Sequence, residues 1–158
     1  MNPLLPPFPG DDEGRWRTLS STYLFQRPWL TVRCQRMLLP TGREHPEYYI
    51  LEYPTWVNII ALTPDDRMLL VRQYRPALDI TRYELCAGVM DPSDASPLEA
   101  AQRELLEETG FGGGEWTKLM VVGPNPSAMN NVSISFLAHG VTKLCEPRLE
   151  ETEDISVH

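Results

Sequence analysis

"GVMDPSDASPLEAAQRELLEETGF", residues 88–111, decides how the rest of the chain is read. It spells out a helix start. Ser96 can act as N-cap, Pro97 suits the first helical position, and Glu99 completes a Ser-x-x-Glu capping box. Gly110 is a natural stop, because glycine takes the left-handed conformation that closes a helix. The spacing predicts a helix over about residues 97–109, with Leu98, Ala101, Leu105 and Thr109 on one face for packing against a sheet. The acid at its end fits poorly. Glu104, Glu107 and Glu108 stand three or four residues apart on a shared face, and each like-charge pair costs about 0.2–0.5 kcal/mol. A carboxylate near the C-terminus also opposes the helix dipole by about 0.3–1 kcal/mol. Arg103, four residues before Glu107, relieves part of this. Local rules tend to be broken at functional sites. A row of carboxylates on one rigid element suits a hard cation such as Mg²⁺ or Mn²⁺, which keeps waters and binds substrate phosphates as well. The plain alternative is a solvated acidic face.

Outward from this segment the chain reads mostly as strands. "WLTVRCQRMLLP" alternates Leu30, Val32 and Cys34 against Thr31, Arg33 and Gln35. "PTGREHP" reads as a loop and "EYYILEY" as a second strand, while "TWVNIIALT" and "RMLLVRQY" flank "PDD" as a hairpin. After the helix, "KLMVV", "VSISFLA" and "ISVH" are extended in pattern. Strands with one strong helix imply a layered α/β or α+β sandwich. "ELCAGVMDP" enters the helix through a tight strand-to-loop glycine, where a free backbone carbonyl could join a ligand set. A second acidic run, "LEETEDISV", lies far along the chain.

The 158 residues suffice for one domain. Residues 1–14, "MNPLLPPFPGDDEG", read as a flexible arm without the basic flank and apolar stretch of a secretory signal, and residues 15–158 as a single domain. No apolar run is long enough to cross a membrane as a helix. The net charge of −8 and the absence of a Lys/Arg cluster argue against a nucleic-acid partner. An acidic chain can still handle an anionic substrate if divalent cations stand between the two. Cys34, Cys86 and Cys145 are odd in number and match no zinc spacing, as expected of reduced thiols in a cytoplasmic protein. His45, His139 and His158 also lack metal spacing. Gly112–Gly114 is followed by neither Lys-Ser/Thr nor a helix, so it reads as a turn and not as a phosphate cradle.

Gly88–Phe111 resembles the Nudix box: glycine, five residues, glutamate, seven residues, then Arg-Glu-apolar-x-Glu-Glu-x-Gly-apolar. The second half is complete in Arg103, Glu104, Leu105, Glu107, Glu108, Gly110 and Phe111. The first half departs. Counting from Gly88 puts Asp94 in the place of the first glutamate, and counting back from Gly110 puts Ala95 there, so one residue is inserted and the acid is shortened. In the family that glutamate supports the loop and helix more than it binds metal. "LLVRQYRP", "ELCAG", "NPSAMNNVSISFLAHGV" and "EETEDISVH" resemble the branch that hydrolyses ADP-ribose and related nucleoside diphosphate sugars. Pro126 falls where that branch has a proline, and Cys86 stands where proline is common.

The resemblance implies an α/β fold: an α/β/α sandwich with mixed sheets and a loop–helix–loop motif. It implies Mg²⁺-dependent attack of water on a pyrophosphate, releasing AMP and a sugar phosphate. By motif position Glu104 and Glu108 would be the main metal ligands, with Glu107 assisting and the Ala87 carbonyl completing the set. Arg103 would orient the glutamates, Arg75 would meet the diphosphate, and Pro126 is a further substrate-binding candidate. The general base would be a late-loop glutamate, Glu151 or Glu153. Trp29 and Trp56 are candidates to stack on the base, with N-terminal strands exchanged between the subunits of a homodimer. Related chains continue into a C-terminal helix that this sequence does not reach. GDP-sugars and nucleoside triphosphates are the alternative substrates. A Nudix-like module that senses a nucleotide without cleaving it is the alternative of a different class.

Overall fold

A computed structural model describes residues 3–158, which fall into two compact units. The first comprises residues up to 54 together with residues 121–132. Its centre is an antiparallel meander of β1 (Arg17–Arg27), β2 (Leu30–Leu38) and β3 (Glu44–Glu52), in the order β1–β2–β3. Tyr23 lies opposite Arg33, and Cys34 opposite Tyr49. The 121–132 segment is tied to β3 by Leu51 N–H to the Ala128 carbonyl (2.7 Å) and by the Tyr48 hydroxyl to the Ser127 carbonyl (2.8 Å). Residues 3–14 form turns, one of them closed by Phe8 N–H to Asp11 Oδ2 at 2.7 Å. β1 is not foreseen by alternation. All of its residues except Leu19 are exposed, so its sequence carries no buried-face period to read.

The second unit, residues 55–120 and 133–158, carries the helix. Its strands are β4 (Trp56–Leu62), β5 (Met68–Leu69), β6 (Val71–Arg75), β7 (Ile80–Glu84) and β8 (Cys86–Val89). Next come α1 (Pro97–Thr109), β9 (Phe111–Gly112), β10 (Glu115–Val122, its last two residues counted with the first unit), β11 (Ser133–His139), β12 (Thr142–Lys143) and β13 (Ile155–Val157). A mixed sheet runs β10–β11–β4–β5, with β8 also on β4. β11 is parallel to β4, whereas β5 and β8 are antiparallel to it. Smaller sheets are β13–β6–β7 and β12–β9. The "PDD" hairpin forms as read, with Ala61 opposite Leu69. Val57, Ile59 and Ala61 of β4 and Ile134, Phe136 and Ala138 of β11 are buried at every second position, as strands require. Among the described residues no helix is long and apolar enough to cross a membrane.

α1 occupies residues 97–109 as its signals predict. Ser96 Oγ accepts the Glu99 N–H (3.2 Å), while Glu99 Oε2 accepts the Ala95 N–H (2.7 Å). Ala100, Ala101, Leu105 and Thr109 are buried, but Leu98, expected among them, lies in the first turn and stays 37% exposed. Gly110 closes the helix at φ +72° and donates its N–H to the Leu106 carbonyl. A Cβ there would overlap the Cys145 carbonyl oxygen. Gly110→Ala therefore combines a left-handed backbone with overpacking against main chain. It is expected to cost about 2–4 kcal/mol in urea unfolding.

Candidate active site

The box carboxylates do not share one face equally. Glu108 falls within the buried stripe of α1 and is 5% exposed. The Glu104 side chain is 12% exposed and that of Glu107 is 45% exposed. The acidic row is thus a gradient from core to solvent. Burial raises the Glu108 carboxyl to about 7, with the Glu104 and Glu153 charges adding to the rise. The Cys86 thiol and the Ala87 backbone N–H pull it partly back. Burial also raises Glu104, against the opposing charge of Arg103. Glu108 Oε2 is buried and has no hydrogen-bond partner.

Arg103 organises this end of the site. Its Nε and Nη2 grip Asp94 at 3.0 Å each, Nη2 also donates to the Val89 carbonyl (3.0 Å), and Nη1 reaches Glu107 Oε2 (2.8 Å) and Glu104 Oε1 (3.1 Å). A planar guanidinium can serve three carboxylates and a carbonyl together, and an ammonium cannot. Asp94, only 8% exposed, also accepts the Asp91 N–H at 2.8 Å. Arg103 holds its carboxyl below the usual carboxylate range. The shortened acid and the extra loop residue therefore still deliver a carboxylate to the arginine.

β8 brings the strand-to-loop segment against α1. Ala87 lies opposite Asn58 and Gly88 opposite Val57. A Cβ on Gly88 would overlap the Glu104 carboxyl, so only glycine lets the glutamate lie there.

A hard cation fits this donor set. The Glu108 carboxyl with its orphaned buried oxygen and the half-buried Glu104 carboxyl, both raised by burial, are groups whose charged forms a divalent cation would stabilise. Among the described residues, no three His, Cys, Asp or Glu side chains close around one point. Mg²⁺ does not require such a cage, because it keeps waters and takes substrate oxygens.

Residues 52–157 match the NUDIX domain, and residues 16–51 match the nucleoside diphosphate sugar hydrolase N-terminal domain. The chain belongs to the Nudix family. The ADP-ribose pyrophosphatase of Bacillus subtilis (strain 168) is 28% identical over 89% of this chain and 76% of its own length. The ADP-ribose pyrophosphatase of Mycobacterium tuberculosis (strain ATCC 25618 / H37Rv) is 27% identical over 89% of this chain and 68% of its own. The ADP compounds hydrolase NudE of Escherichia coli (strain K12) is 40% identical, over 47% of this chain and 40% of its own. A crystal structure of an ADP compounds hydrolase superposes with a TM-score of 0.79 at 24% identity, covering 91% of this chain and 77% of that one, and so shares the fold.

Around the Nudix helix the remaining candidates are distributed unevenly. Arg75, at the end of β6, donates Nε and Nη2 to Glu84 (3.0 and 2.7 Å). Glu84 holds its pKa up, and the Glu108 charge contributes. In the late loop Glu151 is exposed and Glu153 is half-buried. Glu153 Oε2 accepts the Glu150 N–H (2.8 Å), and its charge is felt at Glu108. Trp56 opens β4 and is half-buried. Trp29, in the β1–β2 turn, and Pro126 belong to the first unit; Trp29 is exposed. Three structural partners are not read from sequence: Asp94 as the grip on Arg103, Glu84 as the partner of Arg75, and Cys86 beside Glu108. Asp94 and Cys86 are visible in sequence only as departures from the family pattern.

Proposed function

We propose that this Nudix chain hydrolyses ADP-ribose, or a closely related nucleoside diphosphate sugar, to a nucleoside monophosphate and a sugar phosphate. The observation that carries the reading is the pair of buried Glu108, with Oε2 unpartnered, and half-buried Glu104 on the box helix of a chain whose relatives include enzymes named ADP-ribose pyrophosphatase. Mg²⁺, or Mn²⁺ in its place, would be held by Glu104 and Glu108, with Glu107 and the Ala87 carbonyl assisting. Such an ion neutralises diphosphate charge and lowers the pKa of a bound water.

The chain's own groups supply positioning. Arg103 fixes Glu104 and Glu107 through its Nη1 and is itself fixed by Asp94. Arg75 offers a guanidinium to the diphosphate once Glu84 yields part of its hold. Glu153 is favoured over Glu151 as the general base, because its charge reaches Glu108 and its carboxylate is anchored on the Glu150 N–H. Pro126, Trp29 and Trp56 are the substrate-side candidates. A homodimer with exchanged N-terminal strands accords with the exposed Tyr23, Leu24, Phe25 and Trp29 in and after β1. A cytoplasmic setting accords with three free cysteines.

The test is hydrolysis with and without Mg²⁺ over a panel of ADP-ribose, GDP-sugars and nucleoside triphosphates. ADP-ribose is expected to have the highest kcat/KM, with AMP among the products and EDTA abolishing turnover. Preference for a triphosphate would redirect the substrate assignment. Tight nucleotide binding without metal and without turnover would establish the sensing module instead.

A further inference from the structure

The chain after β12 is fastened to the end of the helix that carries the box glutamates. Lys143 Nζ donates to the Thr109 carbonyl (3.2 Å), and the Leu144 and Cys145 N–H groups both reach the Gly110 carbonyl (2.8 and 3.1 Å). The Arg148 N–H then reaches the Glu107 carbonyl at 2.7 Å. The last carbonyls of a helix have no partner within it and are usually left to water or to the next few residues. Here their partners come from a strap, residues 143–148, far along the chain. The strap passes so close that a Cβ at Gly110 would overlap the Cys145 carbonyl oxygen.

The strap ends where the late acidic loop begins. Beyond Glu153 the chain is pinned to β6 through β13, with Ile155 opposite Gln73 and with Leu70 and His158 exchanging main-chain hydrogen bonds (2.9 and 2.8 Å). Within the loop the Glu150 N–H donates to Glu153 Oε2 (2.8 Å), and the Glu153 N–H to the Glu150 carbonyl (3.0 Å). The step from Arg148 to Glu153 spans at most about 17 Å of extended chain, so the anchor on α1 limits where that carboxylate can stand. Without the anchor, the free chain begins at Cys145. We infer that the Arg148 main-chain N–H is a positioning group, which holds Glu153, the proposed general base, in register with the helix that carries Glu104 and Glu108. The inference rests on the reading of Glu153 as that base.

Arg148→Pro deletes the N–H, whereas Arg148→Ala removes the same side chain and keeps it. At saturating Mg²⁺ and ADP-ribose, Arg148→Pro is expected to show a kcat about 10–100-fold below that of Arg148→Ala, because a misplacement of about 1 Å can cost 10²-fold. KM should differ little between the two, since the strap is given no substrate contact. A role that acts through Glu153 vanishes with its carboxylate, so beside Glu153→Gln the two variants should have equal kcat. Equal kcat beside the native Glu153, or a penalty undiminished beside Glu153→Gln, would reduce the hydrogen bond to a helix cap and overturn the inference. Glu153→Gln alone reads the base assignment: if it keeps the parent's kcat, that assignment fails and the inference falls with it.

If Arg148→Pro does not fold, hydrogen exchange of the parent protein decides. The Arg148 amide should exchange as slowly as those of Leu144 and Cys145, because one strap opens as one unit. An Arg148 amide that exchanges at the rate of a free chain overturns the inference.

Discussion

Glu108→Gln is expected to lower kcat/KM for ADP-ribose by at least about 10³-fold while making the metal-free protein more stable at pH 8. The activity loss follows from removing one full charge from a water-poor site, where even a single oxyanion-hole donor is worth about 10²–10³. The gain in stability follows from burial. Glu108 titrates at about 7 in the folded chain, above the usual glutamate value of about 4.3 expected on unfolding. Below the unfolded value both states are protonated, and the contribution of this group is fully present. As pH rises through the folded value the native state must bury a charge that the unfolded chain solvates, and that contribution is lost. A shift of this size corresponds to about 3 kcal/mol between pH 5 and pH 8. The glutamine side chain of the variant is neutral throughout and escapes the loss. Urea unfolding in EDTA at both pH values should show the parent losing more stability than the variant, with Mg²⁺ restoring the parent alone at pH 8. Surviving activity would remove Glu108 from the ligand set. A variant no more stable than the parent at pH 8 would contradict the cost of the buried charge.

That combination explains which features the sequence could reveal. α1 was legible to the residue because its signals are local: an N-cap hydroxyl, a first-turn proline and a left-handed glycine act within a few residues of themselves. The alternating strands β4 and β11 were legible because one face of each is buried. β1 was not, since almost none of it is buried and no periodicity is imposed on it. The carboxylates were legible as a group and misread as a face. Helical spacing puts Glu104, Glu107 and Glu108 near one another, but it does not say where the sheet stops. Tertiary packing against β8 decides that Glu108 lies in the buried stripe and Glu107 at its half-exposed edge. The long-range partners were hidden for the same reason. Nothing local links Arg75 to Glu84 nine residues on, or Cys86 to Glu108 twenty-two residues on.

Asp94→Ala is expected to destabilise the protein by about 2–3 kcal/mol and to lower kcat/KM about 10–100-fold, although Asp94 is not assigned to substrate or cation. Removing one partner of a fully buried ion pair costs about 3–5 kcal/mol. The Arg103 side chain is 30% exposed, so water recovers part of that. The loss of activity comes through Arg103, which has two of its hydrogen bonds on Asp94 and would be free to swing away from Glu104 and Glu107. Supporting interactions of this kind are worth about 10–100-fold. Because Arg103 holds the Asp94 carboxyl below its ordinary value, the contribution is present above about pH 4 and is lost only as pH falls through the depressed folded value. It is therefore intact across the window in which the Glu108 contribution disappears, and pH separates the two effects. Asp94→Glu installs the acid typical of the box, yet it should not improve the enzyme. The Asp94 carboxylate grips Arg103 bidentately while accepting the Asp91 N–H in its own turn, in a site 8% exposed. One more methylene must break one of those bonds or displace the loop. Activity and unfolding midpoint below the parent's are the expected result, measured side by side with Asp94→Ala. A more active Asp94→Glu enzyme would show that the inserted loop residue does not compensate for the shorter acid.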